Sequence, residues 1–188
     1  MRHLSVISIF IFCLLITGCS RTVTVIPSFG TQMTVTANFR GNIDLSKNKY
    51  FMIISTNESY SFPILPPEGT SLDEFLEPGD LPVVGDKADY FTKYYSTWNS
   101  FIVLDNLGYY LERGPFSITN TLTREIVSSS IPQSSYLSFT IRLDRIFGAP
   151  FPENIYFDII SVDYPSGAQK YLKDHVAPPG RSISSVSG

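Results

Sequence analysis

The chain has 188 residues, with 14 Lys+Arg against 17 Asp+Glu and a formal net charge of −3. That near-neutral balance, with no clustered basic face, argues against a nucleic-acid partner held by phosphate contacts and against a polybasic grip on anionic lipid. Both cysteines, Cys13 and Cys19, fall in the first nineteen residues. Everything downstream is therefore expected to be without disulfides and without cysteine metal ligands.

The chain begins with Arg2 and His3, followed by an almost wholly apolar run from Leu4 to Ile16 and then by Thr17-Gly18-Cys19-Ser20. A basic start, an apolar stretch of seven to fifteen residues and a small-residue end are the parts of a secretory signal. As a helix, Leu4 to Thr17 would reach roughly 21 Å at ~1.5 Å per residue, short of a hydrocarbon core of about 30 Å. The ending Ile16-Thr17-Gly18-Cys19 resembles the lipobox of bacterial lipoproteins: an aliphatic residue, a small or β-branched residue, Gly or Ala, then Cys. The resemblance implies a diacylglyceryl group on the Cys19 thiol, cleavage between Gly18 and Cys19, and anchoring in a lipid bilayer. Such anchoring is firm only with two or more acyl chains, at ~0.8 kcal/mol per buried CH₂. In an organism with two membranes, Ser20 resembles the class sorted to the outer membrane. This would place the protein in the cell envelope, facing the periplasm or the surface. Removing residues 1–18 takes one base, Arg2, and leaves 13 Lys+Arg against 17 Asp+Glu.

Beyond residue 30, period-two alternation dominates. Met33, Val35, Ala37 and Phe39 alternate with Thr34, Thr36, Asn38 and Arg40; Leu137, Phe139, Ile141 and Leu143 alternate with Ser138, Thr140, Arg142 and Asp144. Such segments predict strands with one face on a core and one toward water. Residues 50–54, 101–104 and 155–162 are short continuous apolar runs, which predict strands buried on both faces. Asp105-Asn106-Leu107-Gly108 predicts a hairpin turn. One short helix is expected in a long loop: Ser71 with Glu74 three residues on forms a capping box, and Glu77-Pro78-Gly79 ends it. Residues 117–131 fit strand or loop. The expected architecture is an all-β antiparallel β-sandwich, Ig-like or jelly-roll-like, of seven to nine strands, with a closed barrel as the alternative. The expected organisation is a signal helix over 1–18, a lipidated tether or first strand over 19–30, the sandwich over 31–176 and a disordered tail over 177–188.

Candidate chemistry is sparse. The mature chain has one histidine, His175, and no Gly-x-Ser-x-Gly elbow, so a surface histidine ending a strand is favoured over a catalytic triad. One histidine and no available cysteine give no metal site of the usual kind, and no cofactor is expected. Seven acidic residues, Glu68, Asp73, Glu74, Glu77, Asp80, Asp86 and Asp89, fall within 22 residues. They lack calcium-loop spacing and read as a solvated loop, although a carboxylate pair of a glycosidase could lie among them. Aromatic residues cluster from Tyr90 to Tyr110. If 90–104 is a strand, Tyr90, Tyr94 and Trp98 share a face: exposed, they form a platform for sugar rings; buried, they are ordinary core, the favoured reading. Trp98 is the leading candidate for a ligand-binding residue. The strand-like segments 137–143 and 156–163 faintly resemble those of secreted carbohydrate-binding or uncharacterised β-sandwiches, which implies no particular binding residue. The sequence thus points to a non-catalytic envelope lipoprotein presenting a binding or interaction module, with a glycan or an envelope protein as partner. The alternatives are a glycan-acting hydrolase using carboxylates and a structural subunit of an envelope complex.

Overall fold

The computed structural model describes residues 22–28, 32–62, 74–81, 87–116, 123–132, 134–148, 150–175 and 182–184, with the backbone alone for 22–28, 87, 90 and 182–184. It is an all-β, sandwich-like fold. Ten strands are described: β1 (Thr22–Ser28), β2 (Gln32–Asn38), β3 (Asn48–Ser55), β4 (Ser100–Asp105), β5 (Gly108–Arg113), β6 (Glu125–Ser128), β7 (Tyr136–Arg142), β8 (Asn154–Asp163), β9 (Tyr171–His175) and β10 (Ser182–Ser184). They are joined by helix α1 (Lys87–Lys93), a 3₁₀ turn over Tyr95–Thr97 and the one-turn helix α2 (Leu143–Ile146).

All pairings are antiparallel and make two sheets. The small sheet has the order β1-β2-β7, and the large one β10-β8-β3-β4-β5-β6. β3 occupies one edge of β8; the other edge is shared, with β9 along Ile160–Asp163 and β10 along Asn154–Tyr156. The alternation in β2 and β7 is realised as expected. Met33, Val35 and Ala37 face Ile141, Phe139 and Leu137 in register, and all six are buried. On the outward face Thr34 and Thr140 share a hydrogen bond of 2.9 Å.

The large sheet is buried on both faces. Its inner face meets the small sheet through Tyr50, Met52 and Ile54 of β3, Ile102 and Leu104 of β4, Tyr109 and Leu111 of β5, and Ile155, Phe157 and Ile159 of β8. Burial holds the Tyr109 phenol at about 12. The opposite set of side chains, among them Phe51, Ile53, Phe101, Val103, Ile160 and Val162, forms a second core. Irregular chain and the 3₁₀ turn cover it, supplying Phe62, Phe75, Leu76, Tyr95, Trp98 and Phe116. This double burial is why residues 50–54, 101–104 and 155–162 read as unbroken apolar runs.

The β4–β5 hairpin turns through Asn106 and Leu107, and the Asp105 carboxylate accepts the Leu107 N–H at 2.8 Å. Gly108 sits at φ +129°, and a Cβ there would lie 2.4 Å from the Ser128 carbonyl oxygen on β6. The hairpin thus needs glycine both for its backbone angle and for the approach of the neighbouring strand.

Three expectations change. The short helix predicted from Ser71 is not seen over residues 74–77, which carry no regular structure; Ser71 itself lies outside the described residues. Glu74, Phe75, Leu76 and Glu77 are all buried. Four successive side chains cannot lie on one face of a helix, and the irregular run is held instead by the Phe75 N–H bonded to the Lys170 carbonyl at 2.8 Å. The described helix in that loop is α1, with Asp89 in its first turn and Lys93 in its last, the favourable order for a helix dipole. Within 177–188, where a disordered tail was expected, Ser182–Ser184 form β10, because β8 leaves part of one edge free beyond β9. The β7 alternation ends at Arg142, since Leu143 opens α2.

Candidate functional site

The exposed sugar platform, the less favoured of the two readings, is not available to Trp98. Residues 90–98 are not a strand: Tyr90 lies in α1, Tyr94 follows it, and Trp98 leaves the 3₁₀ turn. Trp98 is 5% exposed at the centre of the outer core. Its indole stacks on Phe75 at 6.0 Å and meets Tyr95, Phe101 and Phe116 edge-on. Its Nε1–H donates to the Ser61 carbonyl at 2.7 Å, which satisfies the one polar group of a buried indole. Tyr94 is half-buried against the same core. The side chain of Tyr90 lies outside the described residues, as do Gly18 and the lipidation candidate Cys19.

The acidic stretch was expected to be a solvated loop, but its first described carboxylates point inward. Glu74 is fully buried and accepts the Lys170 backbone N–H at 3.2 Å. Glu77, 3% exposed, forms ion pairs with both Lys49 and Arg124. Asp80 accepts the Tyr164 hydroxyl. Asp89 is exposed on α1, whereas Glu68, Asp73 and Asp86 lie outside the described residues.

Around Glu77 the outer face of the large sheet carries a compact charged cluster. The Arg124 guanidinium, just before β6, reaches three carboxylates: Glu77, Glu112 at 2.8 Å and Asp105 at 3.1 Å. Strand parity places them together. Asp105 follows Phe101 and Val103 on the outer side of β4, and Glu112 follows Tyr110 on the outer side of β5. Lys49 stands on the outer side of β3, its Nζ 4.0 Å from the centre of the Tyr164 ring, and Arg124 lies over Tyr110 at 5.7 Å.

Burial is the largest influence on Glu112 and the Glu77 charge adds to it; together they raise its carboxyl to about 7 against the opposing pull of Arg124 and Lys49. For Arg124 burial disfavours the charge, but Glu77, Glu112 and Asp105 outweigh it and hold the guanidinium above its ordinary value. Tyr164 is pushed well above the ordinary phenol range by burial, with Glu77 and Asp80 adding to it.

Beside the cluster a concave surface of about 400 Å³ opens to solvent, lined by Lys49, Asp80, Leu81, Tyr164, Ser166 and Lys170. That size is within the ordinary range of ligand pockets, ~300–1,000 Å³. Lys170 Nζ stands 5.1 Å from the centre of the Tyr164 ring, and Leu81 projects at the rim, largely exposed.

A second polar pair lies elsewhere on the outer face. His175 ends β9, half-buried, and its Nδ1 is 3.2 Å from an oxygen of the fully buried Asp158 on β8. Nearby, Tyr60 is raised far above the ordinary phenol value by burial, with the Asp158 charge adding to it. Among the described residues no group of three or more His, Cys, Asp or Glu is arranged to hold a metal ion.

Sequence reading missed Lys49, Asp105, Glu112 and Arg124 as a group, because 75 residues separate the first from the last and each looks like an ordinary strand-end charge. The available signal was parity: Asp105 continues the side of β4 that carries the buried Phe101 and Val103, and Glu112 the side of β5 that carries the half-buried Tyr110. The chain matches no protein-family model, no curated protein and no solved structure.

Proposed function

We propose that this protein is a lipid-anchored component of a bacterial cell envelope, whose β-sandwich serves as a non-catalytic binding or interaction module. The observation that carries the reading is Ile16-Thr17-Gly18-Cys19 at the end of an apolar run too short to span a bilayer. The described domain agrees with the same economy of cysteine: its core is held by packing and ion pairs, and both cysteines precede it. The non-catalytic part draws on the fate of the carboxylates. Glu77, Asp105 and Glu112 are engaged by Arg124, and Glu77 also by Lys49, in the manner of groups that hold segments together. The Tyr164 cleft gives the module a concave polar surface with an apolar rim.

Mass spectrometry of the mature N-terminus tests the anchor. The expected chain starts at Cys19 and carries a diacylglyceryl group on its sulfur, and Cys19→Ala leaves an uncleaved precursor or frees the domain from membranes. A mature chain that starts elsewhere, or an unmodified Cys19, overturns the reading.

A further inference from the structure

The Arg124 cluster ties the segment 74–81 to three neighbouring strands of the large sheet and to the approach to a fourth. Lys49 comes from β3, Asp105 from β4, Glu112 from β5, Arg124 from the approach to β6, and Glu77 from the segment 74–81. Among the described residues, the other charged or titratable groups against it are Tyr110 on β5, Asp80 on the segment, and Tyr164 and Lys170 after β8. Among the described residues three carboxylates contact two cations, which leaves one negative charge in excess when all are ionised. Glu112 is where that excess is hardest to accommodate. Its side chain has no solvent exposure; Oε1 accepts from Arg124 Nε, and Oε2 has no hydrogen-bond partner among the described residues. A buried carboxylate oxygen without a donor favours the neutral acid.

We propose that Glu112 is the proton-controlled element of a latch that fastens the segment 74–81 to the outer face of the large sheet. Neutral, it leaves Arg124 and Lys49 to hold Glu77, and the segment is pinned. Ionised, it competes with Glu77 for the guanidinium and repels it, and the segment loosens. What loosens is one wall of the Tyr164 cleft, since Asp80 and Leu81 belong to the same segment.

The direction of the pH dependence follows from the raised value. The carboxyl stands at about 7 in the closed protein, against an ordinary 4.5 once water reaches it. Its contribution to closure is therefore complete below about 4.5 and is lost as pH rises through about 7.

Hydrogen exchange of the full chain in detergent reads this directly. Three N–H groups report on the segment: Phe75, bonded to the Lys170 carbonyl; Glu77, bonded to the Tyr164 hydroxyl; and Asp80, bonded to the Glu77 carbonyl. Their protection, corrected for intrinsic exchange and referred to Phe51 in β3, should fall roughly tenfold or more between pH 5 and pH 8. Glu112→Gln, which keeps an acceptor for Arg124 but cannot ionise, should give equal protection at both values. Wild-type protection that does not change, or a variant that retains the wild-type fall, overturns the latch. Should Glu112→Gln fail to fold, Asp105→Asn decides: it restores two charges against two and must shrink the fall, and an unchanged fall overturns the proposal.

Discussion

The two faces of the large sheet are both closed to water, by different means. The inner face is covered by another sheet, whose strands pair with one another in the order β1-β2-β7; the core between is apolar apart from Tyr50 and Tyr109, with the small polar side chains of Ser100 and Ser161 on the same side. The outer face is covered by irregular chain and the 3₁₀ turn. Here lie the buried carboxylates of the described residues: Glu74, Glu77, Asp105, Glu112 and Asp158. Irregular segments bring backbone groups with no ladder to join, and side chains must meet them. Glu74 takes the Lys170 N–H, the Ser55 hydroxyl donates to the Thr97 carbonyl at 2.7 Å, and the Tyr95 hydroxyl donates to the Leu76 carbonyl at 3.1 Å. A sheet partner therefore gives a core that depends little on pH, whereas a loop cover gives one fastened by groups that can titrate.

The sharpest test of that contrast sets one aromatic residue from each face side by side. Trp98→Ala on the outer face and Phe139→Ala on the inner face should each cost about 3–5 kcal/mol in denaturant unfolding, since both vacate a packed core. A cost well under 2 kcal/mol for Trp98→Ala, with Phe139→Ala at full value, would show that the loop cover is not a true second core. The comparison also disposes of the sugar-platform idea, which requires Trp98→Ala to leave stability unchanged.

Charge removal should separate the faces further. Arg124→Met strands three carboxylates and is expected to cost roughly 2–3 kcal/mol, below the ~3–5 kcal/mol of a fully buried pair, because about a third of the Arg124 side chain is exposed. The loss should be larger at pH 8 than at pH 5, where Glu112 can take up a proton; a loss independent of pH would mean that Glu112 does not share the cluster's charge. The smallest effect belongs to the small sheet's outward face. Thr34→Val removes the exposed hydrogen bond to Thr140 and should shift stability by no more than about 0.5 kcal/mol. A larger shift would mean that this face is covered by something in the native protein.

Much of the inner half was legible in the sequence, because there a local pattern and its tertiary use coincide. Strict alternation from Met33 to Ala37 and from Leu137 to Ile141 has one low-energy use, a strand with one face buried, and the Asp105–Gly108 turn carries its own chemistry. Continuous apolar runs in β3, β4 and β8 likewise announced that something covers both faces. The identity of that cover was not local information. The capping box at Ser71 and Glu74 is a valid helix signal, but residues 74–77 gain more by burying Phe75 and Leu76 and by placing Glu77 between Lys49 and Arg124. The aromatic run from Tyr90 to Trp98 fits a strand or a helix on propensity, and only docking against Phe75, Phe101 and Phe116 turned Trp98 inward. The Arg124 cluster lay furthest from sight, since its members meet only when β3, β4, β5 and two loops are assembled on one face. Periodicity records which side of a strand is apolar; which distant charges are forced together in low dielectric is decided by topology, and that topology is what sets the protonation of Glu112.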